Sequence, residues 1–171
     1  MDDADALSAA ILDSVHHLRP WMPWAAHEPL DPAARRALLA GWHEAWLAGT
    51  DHHFGVWLDD VVVGGCGLHA RLTGPGLEIG YWVHAGHLRR GYATAAAQGL
   101  TTAAFALPHV AFVEIHHDRA NLASGRVPAA LGYLRIGEEP CAVLAPYEQG
   151  VTVIWRMRRE AWASRQKVAR P

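Results

Sequence analysis

The sequence predicts a single α/β domain, a mixed sheet flanked by helices, and three observations carry that prediction. Short runs of β-branched and aromatic residues, such as Leu77 to Val83, alternate with stretches of helical apolar spacing, such as Ala93 to Ala104. Turns marked by glycine or proline separate them. The chain has 171 residues, 51% hydrophobic and 19% charged, enough for one substantial core but not for two. Strands interleaved with helices bury their apolar faces by layering.

Residues 4 to 17 predict a first helix, with Leu7, Ala10, Ile11, Ser14 and Val15 on one side. Leu18 to Trp24, LRPWMPW, must be a stiff loop, because Pro20 and Pro23 remove amide donors and fix φ. It carries the indoles of Trp21 and Trp24, which read equally as a hydrophobic plug or as the wall of a pocket. Asp31-Pro32 supplies a cap and a first-turn proline for a helix running to about Ala48 before Gly49. Leu38, Trp42, Ala45 and Trp46 are its expected buried stripe.

Phe54 to Leu58 and Val61 to Leu68 predict a hairpin turning at Asp59-Asp60, with Gly64, Gly65 and Gly67 allowing a bulge or close backbone approach. A strand over Leu77 to Val83 follows the Thr73 to Gly76 turn, and a fifth apolar segment runs from Ala111 to Ile115. Asn121 opens a short helix through Leu131, where Pro128 predicts a kink. Tyr133 to Ile136 and Val151 to Met157 are the last strands, and the polar tail from Ala161, Trp162 excepted, is expected to fray.

A net charge of −2 gives no broad basic surface for nucleic acid. No apolar run is long enough to cross a bilayer, and the acidic start MDDADALSAA is unlike a signal peptide, so a cytoplasmic protein is the expectation. Cys66 and Cys141 read as free thiols. Of the twelve histidines, six form adjacent pairs that would face opposite sides of a strand, so no metal site is expected.

The most informative stretch is Leu77 to Ala104. The strand passes through His87-Leu88-Arg89-Arg90-Gly91-Tyr92 into an alanine-rich helix, whose first amides lack intrahelical partners. Unpaired amides, the helix dipole and two arginines favour a phosphate there, and Gly91 lets it approach the backbone. Neither a Walker loop nor a dinucleotide fingerprint is present.

Leu88 to Ala93 instead resembles the Gln/Arg-x-x-Gly-x-Gly/Ala pyrophosphate loop of the GNAT acyl-CoA-dependent N-acetyltransferases, with Leu88 departing from the usual Gln or Arg. LRPWMPW, LEIGYWV, RRGYAT, and NLAS with ALGY occur in the order seen in RimJ/RimL-type members, over about Asp5 to Arg156. The resemblance implies a GNAT-like, mostly antiparallel sheet, here apparently without its first strand, since only Met1 to Asp3 precede the first helix. Either the sheet starts one strand short or the true start lies upstream.

It also implies acetyl-CoA as acyl donor, bound through Arg89, Arg90, Gly91, Tyr92, Ala93 and Thr94 at the pyrophosphate. The backbone of Trp82 and Val83, on a strand splayed by a bulge, would lie along the pantetheine and the thioester carbonyl, and Asn121 would bond the arm. Glu78 resembles the general base of histone-type members, with Glu114 as the alternative. The tyrosine acid of many members falls at Pro128, leaving Ser124 as the proton donor. Trp21 and Trp24 lie where related enzymes bind the acceptor, a peptide N-terminal α-amine being the expected class, ahead of a small amine or antibiotic, or of a CoA-binding module without chemistry. The sequence leaves the oligomeric state open, a homodimer included.

Overall fold

The computed structural model describes residues 3 to 168. Helix α1 (Ala4–Leu18) leads through a short 3-10 turn at Pro23–His27 to α2 (Pro32–Ala48). Strands β1 (Asp51–Leu58), β2 (Val61–His69) and β3 (Gly76–Val83) form a meander; α3 (Tyr92–Ala106) then carries the chain back to β4 (Phe112–Asp118). After α4 (Leu122–Leu131) come β5 (Leu134–Pro140), β6 (Val151–Arg158) and α5 (Arg159–Val168). The sheet order is β1-β2-β3-β4-β6-β5, and β3/β4 is its parallel pair because a helical crossover joins them. Among the described residues no strand precedes α1.

The core fills one face of the sheet. Leu68, Leu77, Ile79, Val113, Ile115 and Met157 pack against Ala97, Leu100 and Ala104 of α3 and Val127 and Leu131 of α4. Alanines on α3 let the helix axis sit close to the strands, which is why that helix is rich in them. Caps fall where the sequence places them: Asp31 Oδ1 accepts from the Ala34 amide at 2.8 Å, and Asn121 Oδ1 accepts from the Ser124 amide at 3.1 Å. Helix α4 runs on through Pro128.

Four expectations need correction. The stripe on α2 is not core: Leu38 and Trp46 are exposed, Trp42 and Ala45 half-buried, and the buried residue of this helix is Arg35. Helical spacing finds the face, but this face looks across an open cleft. The polar segment after β6, where no helix was expected, forms α5 as far as Val168, with Trp162 in the core and the Arg159 guanidinium donating to the carbonyls of Phe105, Leu107 and Val110, while residues 169 to 171 lie outside the described residues. The hairpin strands are longer than expected, β1 starting at Asp51 and β2 ending at His69. Finally, register shifts occur between Val56 and Trp57 and between Arg135 and Gly137, not along β3. There β3 stays in register with β2 as far as Gly64↔Val83, because three glycines on β2 admit close backbone and indole contact; β4 leaves it without a bulge.

Candidate active site

Strands β3 and β4 pair through Gly76↔Phe112, Leu77↔Val113 and Glu78↔Glu114, and then diverge. Beyond Glu78 the edge of β3 that faces β4, including Trp82 and Val83, has no strand partner, while β4 continues its pairing with β6 as far as Asp118↔Thr152. Backbone amides open to a gap are what an extended polar arm requires. The gap ends at the start of α3. There Gly91 caps the helix at φ +85°, with nothing within 4 Å of where a Cβ would stand, and Arg89 takes φ +59°. Arg89, Arg90 and Gly91 are exposed, and the amides of Tyr92, Ala93 and Thr94 form the open first turn. Ser14 fixes the other side of this turn, its Oγ accepting from the Ala85 amide at 3.0 Å.

On the face of the sheet away from the core, strand register lines up one ionisable residue per strand: Asp51, His69, Glu78, Glu114 and Arg156 stand directly opposite one another across β1, β2, β3, β4 and β6. Asp51 Oδ1 and His69 Nδ1 are 2.6 Å apart. Arg71 grips Glu78 with two donors, Nε to Oε2 at 2.8 Å and Nη2 to Oε1 at 2.5 Å. Glu114 accepts from Arg156 Nε at 2.6 Å and lies 2.6 Å from His116 Nε2. Burial pushes the Glu78 carboxyl up, but the Arg71 hydrogen bond and charge outweigh it, and the net position is below the ordinary carboxylate value. Glu78 is therefore held ionised with both oxygens engaged, and Glu114 is engaged as fully. Glu78 lines the cleft, whereas Glu114 does not, and both carboxylates are engaged by neighbouring donors.

The proton-donor side is better equipped than the sequence suggests. Tyr81, on the core face of β3, places its hydroxyl 3.1 Å from Ser124 Oγ and 3.0 Å from the Ser124 carbonyl. A phenol thus reaches Ser124 from the strand, although the usual tyrosine position on α4 holds Pro128. Burial pushes the Tyr81 hydroxyl up to about 12, so it keeps its proton. The nearby Cys66 thiol is likewise pushed up to about 11 by burial, which makes it a poor nucleophile and leaves direct transfer as the chemistry this site supports.

A cleft of about 940 Å³ joins these parts, lined by Trp21, Trp24, Trp42, His69, Glu78 and Ser124 among others. Trp24 meets Trp82 edge-on at 6.2 Å between ring centroids and Trp21 meets Tyr147 at 5.7 Å. Trp21 is half-buried and Trp24 exposed, and both line the cleft. Their loop is tied from beneath: Arg19 donates to the carbonyls of Ala25 and Glu28, and the buried Arg35 binds both Glu28 oxygens at 2.7 Å and Ser8 Oγ at 3.0 Å.

A strand pair that parts beside a glycine-marked helix start is the architecture of one acyltransferase superfamily, and the family model described as acetyltransferase (GNAT) domain matches residues 1–134. The chain is a GNAT acetyltransferase. Among solved structures it is similar to RimL, a ribosomal L7/L12 α-N-protein acetyltransferase in complex with coenzyme A (TM-score 0.84, 16% identity, covering 94% of this chain and 90% of that one). It is similar also to Mycobacterium smegmatis RimJ in complex with CoA-disulfide (TM-score 0.80, 24% identity, 98% and 85%) and to the microcin C7 self-immunity acetyltransferase MccE with acetyl-CoA and AMP (TM-score 0.83, 14% identity, 92% and 87%). No curated protein matches it in sequence. At these identities the likeness is one of fold. This GNAT enzyme is an acyltransferase with acetyl-CoA as cosubstrate, and the open Gly91 turn and the unpaired β3 edge fit that donor.

Missed in the sequence were Tyr81, Arg71, His116 and the Asp51–His69 pair. Tyr81 was visible as part of LEIGYWV, but only the fold shows that its side chain reaches α4.

Proposed function

We propose that the protein transfers the acetyl group of acetyl-CoA to the α-amine of a peptide or protein N-terminus, in the cytoplasm. The observation that carries this reading is the cleft of about 940 Å³, walled by Trp21, Trp24 and Trp42 and lined also by the carboxylates of Glu78, Asp118 and Glu148. Apolar walls desolvate the reacting nitrogen, and the carboxylates attract the ammonium form on entry. The names of the RimL and RimJ neighbours support the same acceptor class. A small aromatic acceptor is the second reading, favoured by the indole walls and by the neighbour that holds AMP. The Tyr81–Ser124 hydroxyl pair argues against a module without chemistry. Acetylation of peptides that differ only in their first residue, beside a panel of small amines, is the deciding assay; transfer to small amines alone would overturn the reading.

In this arrangement the amides from Arg89 to Thr94 hold the pyrophosphate, the open edge at Trp82 and Val83 aligns the thioester, and Asn121 bonds the pantetheine arm. Gly91→Val is expected to weaken CoA binding at least tenfold by calorimetry, since a branched side chain would both stand in the phosphate path and strain a backbone at φ +85°. An unchanged Kd would remove the phosphate site from this turn.

Trp24→Ala is expected to raise KM for the amine while KM for acetyl-CoA stays near wild type, because the indole is 38% exposed and borders the cleft. Trp21→Ala should act alike. If either variant instead lost roughly 3 to 5 kcal/mol of stability with the amine KM unaltered, the loop would be a core plug after all.

A further inference from the structure

The geometry points to His69 as the general base that takes the proton from the acceptor amine, with Asp51 as its positioning residue; the inference rests on the acyl-transfer reading above and completes it. Three observations carry it. First, Asp51 Oδ1 stands 2.6 Å from His69 Nδ1, a contact in which Nδ1 donates and Nε2 is left as the ring's other nitrogen. Second, the ring has a built seat. Gly67 and Gly80 face each other on β2 and β3, and a Cβ at Gly67 would lie 2.9 Å from Nε2, at Gly80 3.2 Å. The imidazole therefore lies along the sheet over two residues without side chains, directed toward Trp82 and away from the row. Third, His69 is opposite Glu78, where β3 and β4 begin to part, and it lines the cleft.

The alternatives are weaker bases. Glu78 and Glu114 have their oxygens in contact with Arg71 and Arg156, and His116 has a carboxylate near each ring nitrogen, Glu114 2.6 Å from Nε2 and Glu78 3.7 Å from Nδ1. His53 stacks on Trp42 at 4.2 Å between centroids, and burial above all holds it below the ordinary imidazole value. A metal is the other use for this corner, since Asp51, His53 and His69 offer ligand atoms within 4.8 Å of one another. The 2.6 Å approach of Asp51 to His69 is a hydrogen bond, shorter than the roughly 3.3 Å between two tetrahedral ligands of one zinc ion.

The step balances as follows. His69 Nε2 accepts a proton from the acceptor ammonium and passes it to solvent. The free amine attacks the thioester carbonyl; the carbon–nitrogen bond forms, the carbon–sulfur bond breaks, and a second nitrogen proton leaves through Nε2. Ser124, in contact with Tyr81, gives the departing thiolate its proton and regains one through Tyr81 from solvent, which also receives the second proton from Nε2, so that one proton is released overall.

The test uses the full-length enzyme with acetyl-CoA and the best peptide acceptor, following kcat at saturating amine from pH 6 to 9. The wild type should lose activity toward low pH as the imidazole is protonated. His69→Gln should lower kcat roughly 10² to 10⁴-fold and abolish that acid limb, with CoA Kd unchanged by calorimetry as proof of a folded site. Asp51→Asn should shift the limb and, by ¹⁵N NMR of the histidine rings, lose the Nδ1–H tautomer that the wild type shows. The limb should survive in Glu78→Gln, because the Asp51 contact and the neighbouring His53 ring remain beside His69, with Arg71 and His116 the other ionisable groups near Glu78. A His69→Gln enzyme with wild-type kcat and limb, a limb that vanishes with Glu78→Gln, or activity stripped by EDTA and restored by zinc would each overturn the assignment. Should the wild type acetylate no amine offered, the acceptor reading fails on its own. The base is then read from the hydrolysis of acetyl-CoA, where water replaces the amine, and hydrolysis unaffected by His69→Gln would overturn it.

Discussion

Ser124→Ala is expected to lower kcat by roughly 10 to 10⁴-fold while CoA affinity stays near wild type, the signature of a lost proton donor. Two observations place the hydroxyl for that role. The Asn121 cap holds the Ser124 amide at 3.1 Å and so fixes the first turn of α4 beside the parting strands. Tyr81, whose phenol burial keeps protonated, stands 3.1 Å from Ser124 Oγ and can refill it. Tyr81→Phe should consequently share part of the loss, and the two changes should not add. Stopped-flow thiol release across pH 6 to 9 reads the effect; wild-type release by Ser124→Ala would assign the proton to solvent.

Arg35→Ala is expected to destabilise the protein by about 3 to 5 kcal/mol, because it leaves the Glu28 carboxylate buried without its partner. Both side chains are only 2% exposed, and the guanidinium joins α2 to Glu28 and to Ser8 of α1. Urea unfolding of Arg35→Ala against a double variant, Arg35→Met with Glu28→Leu, separates the cost of the orphaned charge from that of lost shape. The double variant should recover much of the stability. A loss under about 1 kcal/mol in the single variant would show that water reaches the pair.

The elements were legible in the sequence where local chemistry sets them. Asp31-Pro32, Gly49, Gly91 and Asn121 all mark real helix ends. What was not legible depends on register. Counting outward from the Asp59-Asp60 turn, with Leu58 opposite Val61, would set Asp51 against Leu68 and leave His69 on the other face. The single-residue shift between Val56 and Trp57 brings Asp51 to His69 instead. Gly64, beside the extra residue Val63, allows a bulge, but a glycine does not say which residue is left unpaired. Likewise Arg71 looked like an ordinary loop arginine, and its grip on Glu78 emerges only when the Thr73 to Gly76 turn folds it back. The α2 stripe failed for another reason: periodicity tells which residues share a face and nothing about what lies across it.

The parting of β3 from β4 leaves the two halves of the sheet, β1 to β3 and β4 to β6, stitched by three register pairs and by helices. A donor seated in that gap acts as a strut between the halves, and every contact it makes belongs to the folded state alone. By linkage, free CoA at a hundred times its Kd adds about 2.7 kcal/mol to the unfolding free energy, and each further tenfold rise adds about 1.4 kcal/mol. The lifetime of this enzyme against heat and proteases then follows the concentration of its acyl donor, so that a shortage of acetyl-CoA removes protein as well as turnover.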